Sequence, residues 1–168
     1  MHVQSTLTDD DLIEHFRAGL NDREIGDLFG VTRQAVQSRR KKLGLERNPV
    51  WRKVNELVKY RWEIYLTPDK DSHNRQWPIM RLREWLRYRY GDNSLSPQQL
   101  HLSRSWVIER IDRDEVLCYD KDGPQPWYYR PRRPEDGRLL IDWPTDLAFP
   151  TRRARLALEV PKDLSNLP

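Results

Sequence analysis

Residues 21–45 have the sequence NDREIGDLFGVTRQAVQSRRKKLGL, which predicts two helices joined by a tight turn. Asn21 and Glu24 have the spacing of a capping box, in which each side chain accepts a hydrogen bond from the backbone N–H of the other residue. Gly30 suits the left-handed backbone position that ends the first helix, and Thr32 is a typical N-cap for the second. Together these signals predict a helix-turn-helix.

Apolar residues at helical spacing give both predicted helices a face for burial. The residues expected on that face are Ile25, Leu28, Phe29, Val36 and Leu43. Gly26 removes a side chain where the two helices must cross closely, and Gly44 supplies the stop of the second helix. An earlier helix, capped by Thr8, completes a first domain of three helices at residues 1–46. The residues of that helix expected to point inward are Leu12, Ile13 and Phe16.

The opposite face of the second helix carries polar and basic side chains. Glutamine can form two hydrogen bonds with adenine, arginine can do so with guanine, and serine can bond either base. The residues that we expect to read bases in the major groove are Arg33, Gln34, Gln37 and Ser38. Those that we expect to bind phosphates are Thr32, Arg39, Arg40, Lys41 and Lys42. The alternative is a helical hairpin with a solvated basic face, but caps, glycines and charge agree in favouring DNA binding.

The length of 168 residues allows one large domain or two small ones, and the distribution of charge favours two. Net charge is +4, but residues 46–91 contain eleven basic and six acidic residues, whereas residues 92–168 contain twelve and thirteen. Such concentrated positive charge suits a polyanionic partner. We therefore expect a second DNA-binding domain at residues 47–168.

The second domain is predicted to contain both helices and strands. Its predicted elements are a linking helix at 49–66, a helix at 77–90, a short helix from residue 96, and a hairpin formed by residues 106–111 and 116–119. The fold class is therefore mainly α with a small β-hairpin, and this order of elements suits a winged helix. A small mixed domain that contacts only the DNA backbone is the alternative. The proline-rich residues after Lys121 predict an extended segment with one short helix at 152–159.

Arginines alternate with tryptophan and tyrosine along residues 77–90. The rings can anchor such a helix in a core while the arginines bond phosphates. The second-domain residues that we expect to contact DNA are Arg75, Arg81, Arg83, Arg87, Arg89, Ser96, Gln98, Gln99 and Arg104. Burial in the core is the favoured interpretation for each of the seven tryptophans. Residues 127–133 form a further aromatic and basic patch, which fits a packed strand and a DNA contact equally well.

The sequence gives little support for catalysis or for a membrane role. Cys118 is the single cysteine, and no stretch approaches the ~20 apolar residues of a membrane helix. The dense acidic cluster at residues 112–122 flanks two turns, where acidic residues are common for backbone reasons. We therefore expect a cytoplasmic protein that is not an enzyme and uses no metal or cofactor. An adaptor that binds DNA with its first domain and a protein with its second is the competing class.

The organisation of the chain resembles that of cluster A mycobacteriophage immunity repressors. The similarity lies in the helix-turn-helix at 21–45, the proline-started helix at 49–66 and the tryptophan- and arginine-rich module from Arg75 onward. It implies a repressor that maintains lysogeny on the nucleoid of the host cell and binds a short asymmetric operator as a monomer through two domains. It also implies many stoperator sites, at which bound repressor halts the host RNA polymerase. Only Arg33, Gln34, Gln37 and Ser38 carry over from the resemblance as base-reading residues.

Overall fold

The computed structural model describes residues 6–165 and 167, and over these residues the chain is mainly helical. Its helices are α1 (Asp9–Arg17), α2 (Asp22–Phe29), α3 (Arg33–Lys42), α4 (Pro49–Arg61), α5 (Trp77–Arg89), α6 (Pro97–Asp112) and α7 (Arg152–Leu158). The other elements are the strands β1 (Glu115–Tyr119) and β2 (Trp127–Pro131) and the 3-10 turns His73–Arg75 and Pro134–Asp136. The predicted fold class, mainly α with a small β-hairpin, is confirmed. None of the described helices has the length and apolar character needed to cross a membrane.

The first three helices start where the sequence predicts, because each has a side-chain cap. At α2, the N–H of Asn21 donates to Glu24 Oε2 at 2.8 Å, and the N–H of Glu24 donates to Asn21 Oδ1 at 2.9 Å. Thr32 Oγ1 accepts from the N–H of Ala35 at 3.2 Å. Gly30 has a φ of 68°, the left-handed conformation that ends α2. Both predicted helices and the turn between them are therefore confirmed.

α1, α2 and α3 enclose a hydrophobic cluster, which we call the first core. Its buried members are Leu7, Leu12, Phe16, Leu20, Ile25, Phe29 and Val36. Each buried leucine, isoleucine or phenylalanine contributes about 1.5–3 kcal/mol relative to an exposed one. Leu28 and Leu43 pack at the edge of this core, as predicted. Ile13 is only half-buried and lies outside it, because the turn of α1 directs Leu12 and Phe16 inward instead.

The linking helix α4 begins as predicted but ends five residues early. Asn48 Oδ1 accepts from the N–H of Val50 at 2.8 Å, and Pro49 occupies the first helical position. Trp62 leaves the helix with extended backbone angles, and its ring packs edge-on against Trp127 at 5.1 Å between centroids. Residues 62–66 are therefore not helical, although their apolar spacing continues the helical pattern.

α6 is longer than predicted, and it includes residues 106–111, which the sequence pattern predicts to be the first strand of the hairpin. A capping box between Ser96 and Gln99 starts this helix. Trp106, Val107 and Arg110 then bury one helical face. The alternation of apolar and polar residues that suggests a strand here is also compatible with a helix, and tertiary burial selects the helix.

The observed hairpin pairs β1 with β2, and Cys118 lies opposite Tyr128. The other edge of β1 pairs with the chain that follows, because the N–H of Leu117 donates to Leu140 O at 3.0 Å and the N–H of Asp142 donates to Leu117 O at 2.8 Å. This extended segment leads to the short helix α7, as predicted.

A larger hydrophobic cluster, the second core, lies among α4, α5, α6, α7 and the hairpin. Its buried tryptophans are Trp62, Trp85, Trp106, Trp127 and Trp143. Trp51 is half-buried and packs against the first core instead. The prediction of core burial is wrong for Trp77, whose exposed fraction is 56%. Its ring lies beneath the guanidinium of Arg81, which explains how an exposed tryptophan is held in place.

The first three helices contact the rest of the chain through packing, hydrogen bonds and ion pairs. The ring of Trp51 packs against Phe16 with centroids 5.4 Å apart. The side-chain amide of Asn74 donates to Ala18 O at 2.8 Å. His15 Nε2 lies 2.8 Å from Pro68 O, and because a carbonyl only accepts, the imidazole is the donor. Two ion pairs cross the same boundary, Arg75 with Glu14 and Lys59 with Glu24. Independent folding of residues 1–46 and 47–168 stays a prediction.

The close crossing in the helix-turn-helix depends on Gly26, where a Cβ atom would lie 2.6 Å from the backbone oxygen of Val31. We expect Gly26→Ala to lower the free energy of unfolding by about 1–3 kcal/mol through overpacking. Gly123→Ala is the control, because the nearest atom to its added Cβ is 3.4 Å away. Urea denaturation measures both. Equal effects of the two substitutions would contradict the close crossing.

Candidate nucleic-acid interface

The outward face of α3 presents the side chains predicted to read bases. Arg33, Gln34 and Ser38 are exposed and Gln37 is half-buried, while Val36 on the opposite face is fully buried. Among the described residues, none of these four polar side chains forms a hydrogen bond or an ion pair with another residue. Their donors and acceptors therefore remain available to a ligand.

Three of the five predicted phosphate-binding side chains are also available. Lys41 and Lys42 are exposed at the end of α3, with no ion pair to any described residue. Thr32 is exposed at the start of the helix, where its hydroxyl oxygen caps Ala35 and its O–H hydrogen remains able to donate. These groups lie at opposite ends of α3, so a polyanion along the helix can contact both.

Arg40 is not available to a phosphate, which corrects the prediction. It is only 7% exposed, and it donates from Nε to Asp22 Oδ1 at 3.0 Å and from Nη2 to Asp22 Oδ2 at 3.2 Å. A third hydrogen bond reaches Leu45 O at 2.6 Å. Arg47 donates to the same carboxylate at 2.7 Å. Arg40 therefore joins α3 to α2 from inside the domain.

Arg39 is also engaged within the protein rather than free on the surface. Its Nε donates to Asp9 Oδ1 at 2.7 Å, and its Nη1 donates to Leu7 O. The carboxylate neutralises the guanidinium, so Arg39 holds α3 against the start of α1. The positive charge predicted at the end of α3 is therefore reduced to Lys41 and Lys42.

Three of the four arginines of α5 lie inside the protein, which corrects the prediction that they form a DNA-binding face. Arg81, Arg83 and Arg87 are each no more than 9% exposed. Arg81 donates to Glu84 Oε1 at 2.9 Å, and Arg83 donates to Asn74 O at 2.9 Å. α4, α6, α7 and the 3-10 turn His73–Arg75 pack against α5. The buried guanidinium groups therefore need internal partners.

The remaining second-domain candidates are also mostly engaged. Arg75 pairs with Glu14, and Arg89 donates to Leu156 O at 2.9 Å. The Ser96 hydroxyl and the Gln99 amide are used in the capping box of α6.

Of the other two, Arg104 is half-buried on α6, whereas Gln98 is exposed and forms no hydrogen bond among the described residues. Gln98 is the predicted contact whose side chain remains most available. The winged-helix interpretation of this domain stays a prediction.

Asp92 connects the start of α4 with the end of α5. Its carboxylate accepts from Arg87 Nε at 2.7 Å, from the Trp51 indole at 3.0 Å and from the Ser94 hydroxyl at 2.6 Å. Burial of Asp92 alone would raise its pKa, but the hydrogen bonds from Ser94 and Arg87 outweigh that effect and hold the pKa at about 2. The ionised carboxylate is therefore a structural anchor.

The described part of the chain contains no cluster of metal ligands, and its cysteine is buried. No group of three histidine, cysteine, aspartate or glutamate residues among them is placed to hold a metal ion. The thiol of Cys118 is buried, and this burial raises its pKa to about 11, so it is a neutral thiol at physiological pH. The chemistry of the described surface is that of hydrogen bonding and charge.

Comparison of the sequence with protein-family models gives no match, and comparison with curated proteins finds no similar sequence. The geometry of α3 and its surroundings is therefore the feature of this chain that indicates a function.

Substitution of Asp22 tests whether its buried carboxylate holds Arg40 inside the first domain. Substitution of Asp27, whose carboxylate is exposed, is the control. We expect Asp22→Ala to cost about 3–5 kcal/mol of folding free energy, because it leaves Arg40 charged and buried without its carboxylate partner. Asp27 and Arg23 are 4.0 Å apart on the surface, so Asp27→Ala should cost under about 0.5 kcal/mol. Urea denaturation distinguishes these values. Similar small losses would mean that Arg40 is not held inside by Asp22.

The low pKa of Asp92 predicts how stability depends on pH. Because its pKa of about 2 lies below the ordinary 3.8, ionised Asp92 stabilises the fold above about pH 4, and this contribution is lost as pH falls through 2. We expect the stability difference between wild type and Asp92→Asn to shrink between pH 4 and pH 2. Unfolding by urea at each pH measures it. Asp146→Asn, at an exposed site, is the control, and a difference independent of pH for Asp92→Asn would contradict the anchor role.

Proposed function

We propose that this protein is a sequence-specific repressor of transcription that binds double-stranded DNA through α3. The observation that carries the proposal is the outward face of α3, where Arg33, Gln34, Gln37 and Ser38 have no partner among the described residues. A helix of this width fits the major groove, and these side-chain types bond base edges there.

The contacts within the first domain favour precise placement of α3. Asp22 fixes Arg40, and Asp9 fixes Arg39, so the recognition helix is tied to both α1 and α2. A rigid helix loses little conformational entropy when it binds, which favours specificity. In this proposal Lys41 and Lys42 contact phosphates and set the position of the helix along the groove.

By its resemblance to the phage immunity repressors, the protein would act as the monomeric repressor of a temperate phage. One chain would bind an asymmetric operator in the cytoplasm of the host and block initiation and elongation by the host RNA polymerase. The difference in construction between the first three helices and the rest of the chain favours an asymmetric site, since two unlike surfaces cannot contact a palindrome symmetrically.

A second candidate is an adaptor that uses α3 for DNA and the remainder of the chain for a protein partner. Two observations favour it. Arg81, Arg83 and Arg87 of α5 are buried. Two large aromatic side chains of this region are exposed, Tyr65 at 54% and Trp77 at 56%. Exposed aromatic residues are enriched at protein interfaces.

Selection from a random duplex library with the full chain tests the proposal. We expect enrichment of one asymmetric sequence and a 1:1 complex with a short cognate duplex in analytical ultracentrifugation. Enrichment of an inverted repeat bound by two chains would contradict the monomeric mode. Absence of any enriched sequence would contradict sequence-specific DNA binding.

The two ends of α3 should contribute differently to binding. We expect Gln34→Ala to weaken binding to the selected site by about 1–3 kcal/mol and to relax the preference at one base position. Lys42→Ala should weaken cognate and random duplexes alike and reduce the salt slope by about one unit. Lys121→Ala, which removes an exposed lysine in the β1–β2 loop, is the control and should change neither quantity. Equal effects of Gln34→Ala on both duplexes would contradict base reading.

A further inference from the structure

An open cleft of about 620 Å³ lies between the first domain and α4. The starts of α2 and α3 line one side of it, and α4 lines the other. Its acidic lining residues are Asp22 and Glu56. Its basic lining residues, all of them exposed, are Arg23, Arg33, Arg47, Arg52 and Lys59. The cleft is therefore a positively charged feature that borders the start of α3.

The buried carboxylate at the cleft does not balance this charge. Asp22 is shared between Arg40 and Arg47, so one negative charge lies between two positive ones. Arg33 has no ion pair and no hydrogen bond with another described residue. An anion that enters the cleft therefore meets an excess of positive charge.

Two exposed ion pairs at the cleft hold their arginines only weakly. Arg52 pairs with Glu56 at 2.9 Å on α4, and Arg23 lies 4.0 Å from Asp27 on α2. All four of these side chains are at least 63% exposed. Exposed pairs of this kind contribute about 0.2–1 kcal/mol, so a phosphate can compete for either guanidinium. Arg23 and Arg52 are therefore available to a ligand from opposite sides of the cleft.

Contacts between α4 and the first domain fix the width of the cleft. Lys59 of α4 pairs with Glu24 of α2. The ring of Trp51 on α4 packs against Phe16 of α1 with centroids 5.4 Å apart. The helices that carry the basic side chains therefore keep their spacing before a ligand binds, which lowers the entropy lost on binding.

The position of Arg33 indicates which anion fits the cleft. This residue lies both on the outward face of α3 and in the lining of the cleft, so the two surfaces are continuous. When a recognition helix lies in the major groove, the sugar-phosphate backbone runs past its end. Guanidinium groups form paired hydrogen bonds with phosphate oxygens. Leu20 and Trp51 add apolar lining, which suits the sugar beside a phosphate.

We propose that the cleft receives a backbone phosphate of the DNA strand that borders the bases contacted by α3. Arg23 binds this phosphate from the side of α2, and Arg52 binds it from the side of α4. The linking helix is thus a DNA-contacting element, a role that the buried arginines of α5 cannot fill. Because this role of α4 rests on the proposed DNA binding by α3, it is tested on the duplex that the full chain selects.

The first test compares two arginines that form the same kind of exposed ion pair. We expect Arg52→Gln to weaken binding of the selected duplex about five-fold and to reduce the salt slope by about one unit. Arg155→Gln is the control, because Arg155 pairs with Glu159 four residues later at 3.0 Å, but on α7. It should change neither quantity. Equal effects of the two substitutions would mean that only net charge matters and would overturn the cleft.

Removing the exposed carboxylate from the cleft should have the opposite effect. Glu56→Gln frees Arg52 and removes repulsion of a phosphate, so we expect binding of the selected duplex to become about three-fold tighter. Glu159→Gln makes the same change on α7 and should leave the affinity as it is. Unchanged or weaker binding by Glu56→Gln would also overturn the proposal.

A scan of the selected duplex with single neutral methylphosphonate linkages locates the contact. At one linkage beside the bases contacted by α3, the wild type should bind about five-fold more weakly. At that linkage Arg52→Gln should lose no more than about two-fold, since its contact is already absent. Equal losses for both proteins at every linkage would overturn the cleft and leave DNA binding by α3 intact. Failure of the full chain to select any duplex would contradict both.

Discussion

Asp22 is the carboxylate on which the arrangement of the first domain depends. It lies at the start of α2, is 6% exposed, and receives hydrogen bonds from both Arg40 and Arg47. Through Arg40 it fixes α3, and through Arg47 it fixes the chain that leads into α4. The α2 N-terminus also favours a negative charge, since the helix dipole is positive there. One side chain thus sets both the angle of α3 and the path of the chain that leaves it.

Arginine side chains are also structural components of the second core, as Arg40 is of the first domain. Arg87 lies over the ring of Trp51 at 4.3 Å while it pairs with Asp92. Arg110 is 1% exposed and lies over the ring of Tyr129 at 3.6 Å. A planar guanidinium can stack on a ring and donate in its own plane at the same time, which lysine cannot do. A high arginine content is therefore a poor guide to surface charge in this chain.

Local signals in the sequence predicted the first domain well. The Asn21 and Glu24 pair, Gly26 and Gly30 act over a few residues, so their effect does not depend on distant parts of the chain. The engagement of Arg40 could also have been found, since it is four residues after Val36 and three before Leu43, on the buried face. A basic residue on an apolar stripe indicates an internal partner rather than a free cation.

The second core was predicted less well because distant contacts decide it. The arginines of α5 are covered by elements far away in sequence, and α4 ends where Trp62 meets Trp127. The local sequence around Trp62 does not differ from that of a continuing helix. The local sequence around the arginines of α5 does not differ from that of an exposed helix face. The sequence predicts correctly that Arg33, Gln34 and Ser38 are exposed on α3. Most of the side chains predicted to contact DNA in the second domain are instead engaged inside the protein.

The attachment of the first three helices has a consequence for the order of folding. The hydrogen bonds between the first three helices span 18 to 32 residues, whereas His15 to Pro68 and Asn74 to Ala18 span 53 and 56 residues. Closing so long a loop costs more entropy than forming a short one, so local contacts form early and these contacts form late. As the chain leaves the ribosome, α3 should therefore be assembled before its position against the second core is fixed.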